Sequence, residues 1–159
     1  MRHQPANYIA TDAVKAWRIS ASIYILIYFI LVITLTVFTY IYEFPYLYSI
    51  LSFGLGIVLT FTFVYLIPRL RYRRWRYEIF EEEIYIQRGI LIMKKTVIPM
   101  IRVQHVDTEQ GPILKRYSLA TVSISTAATT HFIPALLDED ASALRDRIST
   151  LARVEEDDI

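Results

Sequence analysis

His105, Asp107 and His131 are the residues whose types come nearest to a metal-ligand set in this chain. A metal site asks for three or four ligands converging with defined geometry. Two histidines and one aspartate on separate segments fall short of that, so a structural role is expected and no metal is assigned. Ser118, Ser123 and Ser125 lack any motif that marks an activated nucleophile. Gly89 and Gly111 stand alone, without the glycine-rich pattern of a phosphate loop. Glu78 and Glu81–Glu83 would suit acid–base chemistry by type, but a run of acids reads as a solvated turn. Lys94-Lys95 and Lys115-Arg116 read as solvated turns on the same grounds. With no cysteine, thiolate chemistry and disulfides are excluded. The expectation is a protein that is not an enzyme and carries no cofactor.

One basic stretch stands out. Pro68–Tyr77 reads PRLRYRRWRY and places Arg69, Arg71, Arg73, Arg74 and Arg76 around Trp75. Two apolar runs precede it. Ile19–Tyr42 and Phe44–Ile67 are each 24 residues without a charge. At about 1.5 Å per residue such a helix is about 36 Å long, enough to cross a hydrocarbon core of about 30 Å. Tyr42-Glu43-Phe44-Pro45 forms the turn, because a proline disfavours helix in the residue before it. Residues 17–67 are therefore predicted as a transmembrane helical hairpin, after an N-terminal arm at 1–16.

The flanks set depth and direction. Tyr40, Tyr42, Phe44, Tyr46 and Tyr48 gather at the turn as an interfacial belt, and Trp17 and Trp75 mark the other face. Lys15, Arg18 and the arginine run border the outer ends, which places both termini in the cytoplasm of a plasma-membrane protein. The same arginines are candidates for contact with anionic headgroups, worth about 1 kcal/mol each near the surface. Tyr24 and Tyr28 lie one turn apart in the first helix. Ser52, Gly54 and Gly56 are small residues in the second, and helix packing is their expected role.

Composition agrees. Apolar residues make up 54% of the chain, aromatic 14% and charged 21%. Residues 1–76 carry a formal charge of +6 and residues 77–159 carry −5. An acidic soluble half excludes nucleic acid as a natural partner, since binding it needs basic surface.

After the arginines the period changes to two. Trp75, Tyr77 and Ile79 alternate with Arg76, Glu78 and Phe80, and Ile84 and Ile86 follow. Ile90–Met93 and Thr96–Ile98 are expected to pair as a hairpin around Lys94-Lys95. Pro99 breaks that strand or sits on an edge. Ile101–Val106, Thr121–Ala127 and Thr129–Ile133 complete six or seven strands, the last ended by Pro134, with one helical turn at Ile113–Tyr117. Leu137, Ala141, Leu144, Ile148 and Leu151 then mark one face of a helix. Residues 68–154 are predicted as a bent β-sheet domain capped by that helix, and 155–159 as a frayed acidic tail.

The order of parts resembles the bacterial pleckstrin-homology-like (PH-like), YdbS-like membrane proteins. The resemblance is carried by Gln87-Arg88-Gly89, Ile98-Pro99, Arg102-Val103-Gln104-His105-Val106, Gly111-Pro112-Ile113-Leu114, Ser118-Leu119-Ala120-Thr121-Val122 and Ile133-Pro134-Ala135-Leu136. It implies a mainly-β PH-like fold of seven strands in two near-orthogonal sheets with a C-terminal helix. It also implies assembly with another PH-like-domain membrane protein, a YdbT-like partner, in envelope maintenance or stress resistance. Homo-oligomerisation and anionic-lipid handling are the alternatives. Phosphoinositide-binding PH domains use basic residues in the first strand connection. That connection is expected here at Glu81-Glu82-Glu83, which argues against carrying this activity over. Finally, the second helix is expected to feed into the domain with no flexible linker, holding it close to the bilayer.

Overall fold

The computed structural model describes residues 5–157. The first four residues of the expected N-terminal arm and the last two of the expected tail lie outside this range. Two compact units are present. One is Trp17–Arg69; the other joins the N-terminal residues up to Ala16 with Leu70 onward.

The first unit is a helical hairpin. Helix α1 spans Ala13–Ile41 and α2 spans Leu47–Thr60; a π-helical turn at Phe61–Leu66 leads into α3, Ile67–Arg74. Glu43 takes a left-handed conformation with φ 56° at the connecting turn. The amide of Phe44 there donates to the Thr39 carbonyl at 3.0 Å. The wide turn has a local cause. Pro68 has no N–H, and its ring clashes with the carbonyl four residues back. The preceding residue, Ile67, bonds instead to Thr62, five residues back, which opens the helix at that point. Buried side chains in this unit are few: Val32, Thr39, Ser49, Val64 and Pro68. Only 6% of the most apolar window of the first helix, and 11% of that of the second, is buried. In water so much exposed Leu, Ile and Phe is untenable; in a bilayer it is the ordinary state. The hairpin is a two-helix membrane anchor.

The second unit is a PH-like β domain. A four-stranded antiparallel sheet runs in the order β1 (Asn7–Tyr8), β2 (Arg76–Ile79), β3 (Glu83–Arg88), β4 (Lys94–Pro99). A three-stranded sheet follows as β5 (Val103–Glu109), β6 (Leu119–Thr126), β7 (Thr130–Leu137). Helix α4 (Pro112–Arg116) links β5 to β6, and α5 (Asp138–Asp157) packs on β5, β6 and β7. Ile84, Ile86, Met100, Leu119, Val122, Ile124, Ile133 and Ile148 are fully enclosed and form the core.

Several expectations are corrected. The N-terminal arm contributes a strand that was not expected: Asn7 pairs with Tyr77 and Tyr8 with Arg76, so β1 edges the first sheet. Two residues are too few to show period-two alternation, and their partners lie far along the chain. The membrane hairpin is consequently the connection between the first two strands. Residues 80–82 form the second connection, with Glu83 already in β3, so the argument drawn from the acidity of Glu81–Glu83 was applied to the wrong loop.

Ile90–Met93 is not a strand. Arg88 pairs directly with Lys94, and Gly89–Met93 is the loop between β3 and β4. Leu91 is 93% and Ile92 85% exposed, although burying such a side chain is worth about 1.5–3 kcal/mol. Lys94 and Lys95 belong to β4 rather than to a turn. Met100–Arg102 forms a 3-10 turn, so β5 starts at Val103.

Pro134 does not end the last strand. Ala135 takes φ 53°, the pairing with β6 shifts there, and β7 continues to Leu137. Proline is tolerated at such an irregularity because no ladder N–H is required of it. Leu137 is therefore a strand residue and is 47% exposed, while Ala141 and Ile148 carry the buried face of α5. That helix continues through the expected tail to Asp157, with no glycine or proline to stop it.

Candidate functional site

Inside the hairpin, Tyr28 and Gly56 come together. The Tyr28 hydroxyl donates to the Ser52 carbonyl at 2.8 Å. A Cβ on Gly56 would lie 2.8 Å from the Tyr28 ring and 2.9 Å from that of Phe29, so any larger residue there requires the rings to shift. Ser52 donates its own hydroxyl back to the Tyr48 carbonyl. Tyr24 is exposed and Gly54 has nothing within 4 Å. Two contacts had no signal in the residue pattern. Thr39 and Ser49 share a buried hydroxyl–hydroxyl hydrogen bond of 3.1 Å near the turn. The Arg18 guanidinium lies 5.4 Å from the Tyr65 ring centroid. Each joins residues on opposite helices, which no single-helix period reveals.

The arginine run divides. Arg69, Arg71, Arg73 and Arg74 lie on α3 and are exposed. Arg74 donates from Nη1 to the carbonyl of Ile90. Arg76 is the first residue of β2 and sits over the Tyr8 ring at 4.4 Å, a cation–π contact joining β2 to β1. Trp75 departs from its expected place at the membrane interface: it is only 4% exposed and lies in the β-domain unit. It is a core residue.

His105 and Asp107 both line a groove of about 350 Å³ between β5 and α5, together with Ser149 and Arg153. His131 is on β7 and is not among the lining residues. Its surroundings are partial burial and the cations Arg88 and Lys94, which together hold its pKa below the ordinary 6.5. Among the described residues no group of three or more His, Asp or Glu is placed to hold a metal. The three serines stay apart as well. Ser123 is buried, Ser125 shares a 3.1 Å hydrogen bond with Thr130, and Ser118 accepts the Asp138 amide at its carbonyl.

The sign of the pH effect at His131 follows from that depression. The folded state favours neutral imidazole, so the stabilisation is complete above 6.5, the unfolded value. It is lost as pH falls from there through the lower folded pKa. His131→Gln is expected to flatten the acid limb of the stability profile while leaving stability at neutral pH little changed. Denaturant unfolding of both proteins across the mildly acidic range, with an NMR titration of the ring, checks this.

The edge of the second sheet completes the geometry. Among the described residues β6 is the one strand paired with β5, and Gln104, His105, Asp107 and Glu109 on β5 are exposed. Unpaired edges of this kind are where an added strand binds.

A family model described as bacterial PH domain matches residues 15–152. The match includes the helical hairpin, so the hairpin and most of the β domain form one family unit. The chain is 48% identical to the UPF0699 transmembrane protein YdbS of Bacillus subtilis (strain 168), over 159 residues and 100% of both chains. No solved structure matches.

Proposed function

Because the chain belongs to the bacterial PH-domain family, as a two-span membrane protein, we propose that it works as an anchored interaction module in membrane-protein assembly. The domain lies at the inner face of the plasma membrane, by the excess of Lys and Arg at the outer ends of the hairpin. Its partner is another membrane protein with PH-like domains, and the setting is envelope maintenance under stress. The observation that carries this reading is the position of β5 at the end of its sheet, beside the β5–α5 groove. An extended segment of the partner adds to β5 through main-chain hydrogen bonds. Asp107, His105 and Arg153 in the groove then select its side chains.

Lipid binding is the second reading. The membrane hairpin, with Lys15 and Arg18 at one end and Arg69–Arg74 at the other, fills the first strand connection. Basic residues at this place favour anionic headgroups.

One purification separates the two. The full-length protein, carrying a photo-crosslinking residue at Gln104, is isolated gently from native membranes, and attached proteins and retained lipids are identified. A crosslink from Gln104 to a membrane protein with PH-like domains, absent from a control position on α4, is expected. A monodisperse monomer without crosslinks, enriched in anionic lipid, overturns the assembly reading in favour of the second.

A further inference from the structure

We propose that the loop Gly89–Met93 dips into the bilayer interface, with Leu91 and Ile92 among the upper acyl chains and Arg88, Lys94 and Lys95 at anionic headgroups. This goes beyond assembly through β5 and uses different residues.

The first ground is exposure. Leu91 and Ile92 are 93% and 85% exposed, and both lie in the β-domain unit rather than in the membrane hairpin. Adjacent aliphatic side chains at a loop tip have no role in the core, which Ile84 and Ile86 of the preceding strand already supply.

The second ground is that the loop is built to hold this shape. Gly89 has φ 134°, and a Cβ there would fall 1.9 Å from the Ile92 carbonyl oxygen. The chain is thus folded tightly against itself beneath the tip. Arg74 adds a second fastening through its hydrogen bond to the Ile90 carbonyl. Arg74 ends α3, the helix that begins at the last residues of the apolar run. The residue that fixes the tip therefore follows the membrane span closely in the chain.

The third ground is charge. Arg88 and Lys94 face each other across the base of the loop, and Lys95 is next along β4. His131 lies within the electrostatic reach of Arg88 and Lys94. An apolar tip over a basic collar is the pattern that seats a segment at an anionic membrane surface. The chain is already anchored, so this contact is intramolecular in effect and needs little affinity of its own. A protein partner is less well matched, because the collar is uniformly cationic and the tip purely aliphatic.

The chain has no cysteine, which permits a clean test in the full-length protein. Leu91→Cys and Ile92→Cys, and Thr129→Cys as an exposed control, are labelled with an environment-sensitive fluorophore. Each is reconstituted at one chain per nanodisc, in zwitterionic or in anionic lipid. Blue-shifted emission at 91 and 92 is expected, with marked quenching by spin labels about 5–10 Å below the headgroup boundary. The effect should be stronger in anionic lipid, with the control unchanged. Water-like emission at 91 and 92 in both lipids overturns the proposal. A blue shift that resists the lipid quenchers, or that arises only with several chains per disc, also overturns it and points to a second copy as the cover. Circular dichroism of each variant, matched to the parent, establishes that the fold is retained.

Discussion

Trp75→Ala is expected to remove about 3–5 kcal/mol of stability from the β domain, the usual range for deleting a buried large aromatic side chain. Trp75 stands between the last residue of α3 and the first of β2, and only 4% of it is exposed. Its amide donates to the Arg71 carbonyl at 3.1 Å, which continues the helical ladder one residue past α3. The side chain then locks the point where helical geometry gives way to extended geometry. Hydrogen exchange on the reconstituted protein separates this from a general defect. Amides of β2 and β3 should lose about two to four orders of magnitude of protection, since each 1.4 kcal/mol is a factor of about ten. Those of α1 and α2 should be unchanged, because lipid stabilises them. Equal loss in both units would mean that Trp75 supports the anchor instead.

The second large effect is at Gly89. Backbone at φ 134° is open to glycine and strained for other residues, at about 1–3 kcal/mol. Gly89→Ala also drives a Cβ into the Ile92 carbonyl oxygen, with the Ile92 carbonyl carbon at 2.9 Å and the Met93 Cα at 3.1 Å. All three are backbone atoms, which do not swing aside as a side chain would. The loop must rebuild, so a loss at or above the upper end of that range is expected, with the Arg88–Lys94 end of the ladder opening. Gly111→Ala is the matched control. Gly111 has φ −75° and nothing within 4 Å of the added carbon, so a change within about 1 kcal/mol is expected, in the stabilising direction. Urea unfolding of the two variants, followed by a probe confined to the β domain, gives the comparison.

What the residue pattern made legible tracks how local the controlling physics is. The two uncharged runs define helices by themselves, because solvation in lipid needs no information from the rest of the chain. The alternation at Trp75–Ile79 and the spacing of Ala141 and Ile148 are local as well, and both are realised. What escaped was nonlocal. Strand β1 depends on partners beyond the entire hairpin. The groove joins His105 and Asp107 to Ser149 and Arg153 from the far end of the chain. Apolar character alone misplaced Ile90–Met93 in a strand, because it does not distinguish a side chain destined for the core from one left at a loop tip. Trp75 carried two readings: its alternation with Tyr77 and Ile79 is matched by the burial of all three, and only its reading as an interfacial marker departs. Tryptophan beside arginine is common at membrane interfaces, and that prior competed with the local alternation.

The pairing of Asn7–Tyr8 with Arg76–Tyr77 acts as a check on insertion. The two strands lie on either side of the membrane hairpin in the chain, and an antiparallel ladder forms only if both emerge on one side of the bilayer. An odd number of crossings leaves Tyr8 and Arg76 separated by the full hydrocarbon thickness, with the first sheet short of its edge strand. During synthesis β1 is made first and waits unpaired while both spans are made. Its hydrogen bonds close only when correct topology delivers β2. The completed sheet therefore records that the hairpin was threaded correctly, and afterwards it ties the domain to the membrane by two covalent strands. A body held at two points loses the freedom to spin about a single tether.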